Sequence, residues 1–371
     1  MITYKSRRRI RRLIKNWTIF SICFVIALSV ALVFIFSPKS YARLDGKITL
    51  TDIDPNHYLI PFEEGCAYID SKNGEGEIYY VNNDNELLWG YKGEIDQLKT
   101  RASTKRLAVF GSSKLQMLAS SGEYLYSKTY DYPIQDLRIS NNVCILYQVH
   151  GAKDFLTVID GQGEIIDTIV QQDNEIFLSY GVFSTDETSI WIITANTSGI
   201  KPFYRFTTYR YEDTKHITVS YSEYNQIIYA PIFLEKKISL LGSHEVINID
   251  YSGKVLSRTR CVGYENKENN YSNNSNVLLL SSVENSESSK QKVLCILDSG
   301  ISYFIEENMP IIATAVTKKY IYVFSSAYMY RYDIKSLYKT TYPLPESINS
   351  IKVNGYICYL SGNSVHRLIL D

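Results

Sequence analysis

A recurring carboxylate is the first feature of this sequence that could do chemistry. One Asp stands in a short polar turn between two apolar runs at five places: Asp84, Asp160, Asp250, Asp298 and Asp333. A ring of carboxylates could form a reactive centre. However, a tight hairpin needs the same residues, because Asp bonds the backbone of its own turn and Gly adopts positive φ. We interpret these five as hairpin residues, far apart near the outer rim of the fold.

Other reactive residue types are present without the spacing that their chemistry requires. Gly74-x-Gly76 and Gly161-x-Gly163 lack the third Gly and the following helix of a nucleotide-binding loop. The sequence contains no Gly-x-Ser-x-Gly nucleophile elbow and no Lys-bearing phosphate loop. The five His show no metal-ligand pairing: His57, His150, His216, His244 and His366. We therefore expect no cofactor and no metal site, and we assign no catalytic residue.

The cysteines after residue 36 have the pattern of buried small hydrophobic residues. They are odd in number and show no Cys-x-x-Cys spacing: Cys66, Cys144, Cys261, Cys295 and Cys358. Four of the five lie inside apolar runs, where a free thiol packs as a small apolar group. A chain of this length can bury a core without cross-links, so we do not expect a disulfide framework.

Short strands, repeated about every 35–50 residues, are the elements that must position these residues. The runs are rich in Val, Ile, Tyr and Thr and are interrupted by Gly, Asn, Asp and Ser, which is typical of strands. The clearest repeat is a strand, a polar turn and a second strand, with copies starting at Ile78, Leu115, Leu156, Val246, Val293 and Tyr328. Two more apolar runs precede each copy. Four-stranded units of this length predict an all-β fold, a β-propeller.

We predict about eight four-stranded blades, although seven also fit because the repeat at 263–307 is weak at its start. The approximate bounds are 57–93, 94–131, 132–172, 173–222, 223–262, 263–307, 308–346 and 347–371. The last blade has only three strand-like runs. The segment 46–53 precedes the first blade and would complete the last one beside 364–370, which closes the ring and removes an exposed edge.

The N-terminus predicts a single membrane anchor. Seven Lys and Arg lie between Tyr4 and Lys15, and residues 17–36 are uncharged. Twenty helical residues span about 30 Å, the thickness of the hydrocarbon core, and the basic flank stays inside. We expect a cytoplasmic tail at 1–16, a transmembrane helix at 17–36 in the lipid bilayer, a linker at 37–45 and an extracytoplasmic propeller at 46–371. A cleaved signal peptide, ending near Ser40-Tyr41-Ala42, is the competing interpretation.

The charge distribution excludes one class of partner. The chain has 39 Lys and Arg and 39 Asp and Glu, and without the seven basic tail residues 32 remain against 39, a net charge of −7. A mildly acidic domain lacks the basic surface that nucleic acid requires. We expect no nucleic-acid partner.

The chain resembles a bacterial family of single-pass, membrane-anchored proteins with an extracytoplasmic propeller-like domain of unknown function. The matching features are RRRIRR before the apolar run and the recurring turn, as in Asp84-NELLW and Asp160-GQGEII. Similar turns occur in quinoprotein-like and WD40-like repeats. The resemblance implies a propeller outside the cytoplasm and transfers no catalytic residue. Quinoprotein enzymes carry a Trp-rich pattern in each blade, whereas only Trp89 and Trp191 follow the anchor here.

Loop lengths indicate which face of the propeller binds a partner. Connections between the second and third strands of a blade, and those between blades, emerge on one face, which we call the loop face. The long connections begin at Asp70, Ala195, Tyr264 and Val283, and we assigned all of them to this face. Binding residues are often built on such loops. The candidates are Lys72, Asn73, Glu75, Asn196, Lys201, Glu265, Lys267, Tyr271, Glu284, Glu287 and Lys290.

These observations favour a non-enzymatic binding or scaffold module for a protein or cell-envelope partner. Two alternatives stay open: the long loops are drifted insertions without a partner, or the propeller is an enzyme, quinoprotein-like or glycan-acting, with its site at the central channel. Several convergent carboxylates, Arg or His with a perturbed pKa in the channel would favour the enzyme, whereas a channel lined by strand backbone and apolar side chains would favour the binding module.

The anchor prediction is tested by protease treatment of intact cells. We expect the C-terminal domain to be cut while a cytoplasmic control protein stays intact. Replacing the Arg residues between Arg7 and Arg12 by Glu should scramble the orientation, because the basic flank sets it. A domain that stays protected while a surface control is cut would refute the topology.

Overall fold

Strands are the only regular secondary structure in the part of the chain that the structure describes. The computed structural model describes residues 42–48, 59–62, 65–70, 77–82, 86–92, 95, 98–183, 189–266, 270–272, 277–283, 290–354, 357–362 and 365–370. These residues form strands and turns and include no helix that could cross a membrane. The predicted tail at 1–16 and anchor at 17–36 lie outside the described residues.

The first four blades each contain four antiparallel strands in chain order. Blade one comprises β2 (Leu59–Phe62), β3 (Gly65–Asp70), β4 (Glu77–Asn82) and β5 (Leu87–Lys92). Blade two comprises β6 (Lys99–Ala102), β7 (Arg106–Gly111), β8 (Lys114–Ala119) and β9 (Tyr124–Thr129). Blade three comprises β10 (Ile134–Ile139), β11 (Val143–His150), β12 (Lys153–Asp160) and β13 (Ile165–Val170). Blade four comprises β14 (Glu175–Val182), β15 (Ser189–Asn196), β16 (Phe203–Arg210) and β17 (Asp213–Glu223).

The remaining four blades follow the same plan with two exceptions. Blade five comprises β18 (Ile228–Phe233), β19 (Ile238–Gly242), β20 (Glu245–Ile249) and β21 (Val255–Arg260). Blade six comprises β22 (Tyr264–Glu265), β24 (Val277–Ser282), β25 (Gln291–Leu297) and β26 (Ser302–Glu307). Blade seven comprises β27 (Ala313–Val316), β28 (Tyr320–Phe324), β29 (Tyr328–Asp333) and β30 (Lys339–Pro343), with the short strand β23 (Asn270–Ser272) added parallel to β27. Blade eight comprises β31 (Ser350–Asn354), β32 (Ile357–Ser361), β33 (Val365–Leu370) and β1 (Ala42–Ile48).

Eight blades confirm the all-β propeller prediction and decide against seven. The weak start of the sixth repeat has a structural cause. Its first strand, β22, has only two residues, and the chain then leaves the blade. It pairs as β23 with β27 of the next blade before returning as β24.

The ring is closed by the first strand that the structure describes. β1 lies beside β33 in a sheet of order β1-β33-β32-β31, so the last blade takes its fourth strand from the N-terminal side, as predicted. Of the predicted segment 46–53, residues 46–48 belong to this strand and 49–53 lie outside the described residues. The strand begins at Ala42, inside the stretch expected to be a linker. Side-chain packing joins blade eight to blade one, because Cys66 and Val81 cluster with Tyr359 and Val365. The Tyr359 hydroxyl also donates to the Gly65 carbonyl at 2.8 Å.

The core lies between blades, because one blade cannot bury both of its faces alone. The second and third strands are buried almost throughout, as in β7 and β8. The outer strand β9 alternates exposed and half-buried residues. One apolar cluster joins Phe110 and Met117 of blade two to Leu137 and Leu146 of blade three. The first strands of successive blades also contact one another, as in the pairs β6 with β10 and β10 with β14. The first strands therefore lie innermost in the ring.

The recurring Asp serves its own turn, as predicted. Asp160 accepts hydrogen bonds from the backbone N–H groups of Gln162 and Glu164 at 2.8 and 2.9 Å. Asp250 and Asp333 bond their turns in the same way. Hydrogen bonds from the Ser252 hydroxyl and then the Lys254 N–H hold the pKa of the Asp250 carboxyl below its ordinary value, and the Ser336 N–H is the main cause of the same shift at Asp333. Asp298 differs, because its carboxylate binds Lys237 at 2.7 Å. Asp84 lies outside the described residues.

In two blades, the glycine of this turn packs against an aromatic ring of the preceding blade. Gly163 has φ +81°, and a Cβ placed there would lie 2.5 Å from the Tyr126 ring in β9. Gly122 has φ +82° and would meet the Trp89 ring at 2.6 Å. The Trp89 indole N–H then donates to the Ser120 carbonyl at 3.0 Å. The repeated turn therefore fixes each hairpin and also docks two blades on their neighbours.

Loss of β1 should open the ring. Replacing residues 42–48 by a Gly-Ser segment of equal length removes the outer strand of blade eight. Because several ladder hydrogen bonds each contribute about 0.5–1.5 kcal/mol, we expect destabilisation of order 3 kcal/mol and aggregation through the freed edge. Unfolding is followed by thermal denaturation of the full chain. An unchanged midpoint would refute the closure.

Comparison of Gly163→Ala with Gly300→Ala separates the contribution of the ring contact from that of backbone strain. Both glycines occupy the same turn with φ of +81° and +84°, but only Gly163 faces a ring, and nothing lies within 4 Å of a Cβ at Gly300. Each change should cost about 1–2 kcal/mol for the left-handed backbone. Gly163→Ala should cost about 1–3 kcal/mol more, because the Tyr126 ring must move. Equal urea midpoints for the two variants would show that the ring contact contributes nothing.

Candidate binding face

Three of the four long connections have the strand order expected of the loop face. Residues 71–76 join β3 to β4, 197–202 join β15 to β16, and 283–290 join β24 to β25. All three link the second strand of a blade to its third. The candidates Lys201 and Lys290 are exposed on these connections. Others on them lie outside the described residues: Lys72, Asn73, Glu75, Glu284 and Glu287.

The fourth connection belongs to the opposite face, which corrects the prediction for Glu265, Lys267 and Tyr271. Glu265 lies in β22, the first strand of blade six, and Tyr271 lies in β23. Lys267 lies outside the described residues. The segment 266–276 therefore connects a first strand to a second. A two-residue strand has no recognisable pattern, and for this reason the stretch was mistaken for a connection between blades.

Asn196 shapes its loop and leaves little free for a partner. Its side-chain oxygen accepts hydrogen bonds from the Ser198 N–H at 3.0 Å and the Ser198 hydroxyl at 2.6 Å. Its amide nitrogen donates to Glu175 at 3.5 Å. These bonds close the turn after β15. The fully exposed Ile200 follows it and is the better contact residue.

A cleft of about 470 Å³ opens on the loop face between blades four and five. We call it the Gln226 cleft. Its lining comes from three connections of this face and from the end of β21: Asn225, Gln226, His244, Glu245, Arg258, Arg260 and Val262. The sequence did not identify these residues, because they lie in short turns of two blades that only the fold brings together.

An ion-pair network forms the wall of the Gln226 cleft. Arg258 of blade five donates to Glu223 of blade four at 2.8 Å and to Glu245 at 3.1 Å. Burial raises the pKa of Glu223. Hydrogen bonds from Tyr221, the Asn225 N–H and Arg258 lower this pKa by more than burial raises it, so the net shift is downward. Burial, and then the bond to Glu223, raises the pKa of Tyr221 to about 12. The network therefore holds Glu223 ionised and joins the two blades.

A second cleft of about 280 Å³ lies on the same face at blade six. Its basic residues are Lys290, one of the predicted candidates, and Lys292. Lys292 pairs with Glu306 at 2.8 Å, and this bond raises the pKa of the lysine. A further cleft of about 460 Å³, lined by Arg106, Asp160 and Tyr211 among others, lies on the opposite face.

The innermost strands carry one charged cluster in the described part of the chain. Asp136 in β10 accepts hydrogen bonds from Arg101 in β6 at 3.0 Å and from Tyr180 in β14 at 3.4 Å. Arg138 lies 3.5 Å from the same carboxylate. Burial, and then the nearby Asp136 charge, raises the pKa of Tyr180. These contacts link three blades and compensate the negative charge of the Asp136 carboxylate. Both effects favour a structural role for the cluster.

The cysteines are buried and free, as predicted: Cys66, Cys144, Cys261, Cys295 and Cys358. Burial raises the pKa of the Cys66 and Cys144 thiols to about 12, so neither is a reactive thiolate at neutral pH. Within the described ranges, no three His, Cys, Asp or Glu side chains are grouped to hold a metal ion.

Comparison with known proteins supports the fold. BamB from Moraxella catarrhalis superposes with a TM-score of 0.59 at 10% identity, over 89% of this chain and 100% of BamB. Sqt1 from Chaetomium thermophilum gives a TM-score of 0.55 at 10% identity, over 88% of this chain and 98% of Sqt1. The chain is an eight-bladed β-propeller. At such identities the likeness shows the fold alone.

One similar structure holds a protein ligand. It is Sqt1 bound to the N-terminus of the ribosomal protein L10, with a TM-score of 0.54 at 10% identity, over 88% of this chain and 100% of Sqt1. No protein family model and no curated protein matches this chain. The resemblance to a membrane-anchored bacterial family therefore stays an expectation from the sequence.

Arg258→Met should weaken the junction of blades four and five. It leaves the carboxylate of Glu223, which is 2% exposed, without its ion pair. Because Tyr221 and backbone N–H groups still bond Glu223, we expect a loss of about 1–3 kcal/mol at neutral pH. The difference in unfolding free energy between the variant and wild type should become smaller in acid. The ion pair of Arg258 with Glu223 stabilises the fold only while Glu223 is ionised, and this stabilisation is lost as the pH falls through the lowered pKa of Glu223.

Lys153→Met is the matched control for Arg258→Met. Lys153 lies 4.0 Å from Asp173, and their side chains are 63% and 90% exposed. Such surface pairs contribute little, so the melting temperature should not change. Equal effects of the two changes would show that the Arg258 network does not hold the blades together.

Proposed function

We propose that this chain is a membrane-anchored, extracytoplasmic scaffold that binds a protein partner through its loop face. The observation that carries the proposal is the clustering of two clefts and two long connections on this face between blades four and six. A closed propeller is a rigid support, and binding sites are commonly built on the loops of such supports. Its proposed membrane location rests on the basic tail and the apolar segment 17–36.

Exposed apolar side chains on this face support a protein partner. Five lie on its connections between blades four and six: Ile200, Tyr224, Ile227, Val262 and Val283. Apolar residues beside charged groups are typical of protein-binding surfaces. Exposed apolar residues also begin the outer strands, as Leu87, Tyr124 and Ile165 do. Those recur from blade to blade and belong to the repeat, whereas the five on the loop face lie in connections that are not repeated.

Protein binding also occurs on a similar scaffold. The fold is shared with Sqt1, which binds a segment of another protein. The charge of the outer part, −7, is compatible with a protein partner and unfavourable for nucleic acid.

Site-specific photocrosslinking in cells tests the working face. A photoreactive amino acid is placed at Lys201, Val262 or Lys290 on the loop face, and at Gln162 or Glu212 in exposed turns of the opposite face. We expect the loop-face positions to give one crosslinked partner band, and the opposite-face positions to give none. The same band from both faces, or from the opposite face alone, would rule out the loop face as the binding surface.

A further inference from the structure

Gln226 is held in an orientation that leaves one hydrogen-bond donor without a partner. Its side-chain oxygen accepts from the backbone N–H groups of His244 and Glu245 at 2.9 and 2.8 Å. Because both neighbours are donors, the amide cannot be turned over. The side-chain nitrogen is buried and has no acceptor in the described part of the chain.

This unpaired donor is costly unless a ligand accepts from it. Gln226 is only 6% exposed, so water does not compensate the amide freely. A buried donor without an acceptor destabilises the folded state. Gln226 is also one of the lining residues of the cleft named after it. The geometry is that of a site prepared for a hydrogen-bond acceptor.

The second donor in the cleft is Arg260. Arg258 and Arg260 are alternate residues of β21 and line the same cleft. The guanidinium of Arg258 is occupied by Glu223 and Glu245. Arg260 is exposed, and its guanidinium makes no hydrogen bond or ion pair with the residues that the structure describes. Arg258 is thus engaged by two carboxylates, Glu223 and Glu245, while the guanidinium of Arg260 stays available.

We propose that the Gln226 cleft binds a carboxylate, supplied by an acidic side chain of the protein partner. A carboxylate has two acceptor oxygens, one for the Gln226 amide and one for Arg260, and charge-assisted hydrogen bonds to arginine are strong. Val262, 49% exposed at the cleft, would contact the aliphatic part of the same side chain. This inference rests on the proposed function, because it names the chemical group that the loop face recognises.

Three blocked peptides, titrated into the full-length chain and followed by ligand-observed NMR, test the chemistry. They are acetyl-Gly-Asp-Gly-amide, acetyl-Gly-Asn-Gly-amide and acetyl-Gly-Gly-Gly with a free C-terminus. We expect the Asp peptide to bind at least tenfold more tightly than the Asn peptide, which has the same shape without the charge. Equal binding of the two, no binding by either, or binding of the free C-terminus alone would overturn the proposal.

Gln226→Glu is the sharpest variant. It keeps the oxygen that accepts from His244 and Glu245, and it replaces the free donor by a second acceptor that repels a carboxylate. Binding of the Asp peptide should fall at least tenfold. Arg260→Gln should have a similar effect and tests the same site if Gln226→Glu fails to fold. Arg210→Gln, an exposed arginine at the opposite-face end of β16, should change nothing. Unchanged binding in both Gln226→Glu and Arg260→Gln would contradict the assignment.

The two proposals fail in different ways. If the peptides do not distinguish Asp from Asn while crosslinking still maps to the loop face, the carboxylate site is wrong and the binding face stands. If the Asp peptide binds as expected while the partner crosslinks to the opposite face, the site exists but is not the one that the partner uses.

Discussion

Pairing of β1 with β33 is the interaction on which the rest of the structure depends. Each blade buries its faces only against its neighbours, so a chain of blades stays incomplete at both ends until the ring closes. The sheet order β1-β33-β32-β31 closes it by joining strands from the two ends of the propeller. The hydrogen bond from Tyr359 to the Gly65 carbonyl and the packing of Cys66 on Tyr359 join blade eight to blade one through side chains. Closure therefore joins eight blades, each only marginally stable alone, into one rigid domain.

The repeated part of each blade builds the support, and the unrepeated part carries the candidate function. The turn with Asp and Gly fixes the outer hairpin, and the rings of Trp89 and Tyr126 use the space beside Gly122 and Gly163. On the loop face the connections differ in length and residues from blade to blade. That variation places the Gln226 cleft beside exposed apolar side chains, where chemical specificity can be added without disturbing the repeat.

Most of the fold could be predicted from the sequence, because strand periodicity and turn residues recur in every blade. The blade bounds, the free buried cysteines and the role of Asp160 all follow from local patterns. The binding face was less predictable. Its long loops were recognisable, but the connection near Glu265 was assigned to the wrong face, because the two-residue strand β22 has no pattern of its own. Arg258 and Gln226 were missed because their roles depend on residues that lie far from them in the chain, 35 residues away for Glu223 and 18 for His244.

Hydrogen exchange of the full-length chain, followed by mass spectrometry, tests ring closure most directly. In a closed ring the amides of residues 365–370 are paired on both sides of β33, whereas β1 is the edge strand and only every second amide of 42–48 faces β33. We predict that a peptide covering 365–370 exchanges as slowly as β32, residues 357–361, and that about half of the amides of 42–48 stay protected. Exchange of 42–48 within seconds at neutral pH, with β32 still protected, would show that β1 does not close the propeller.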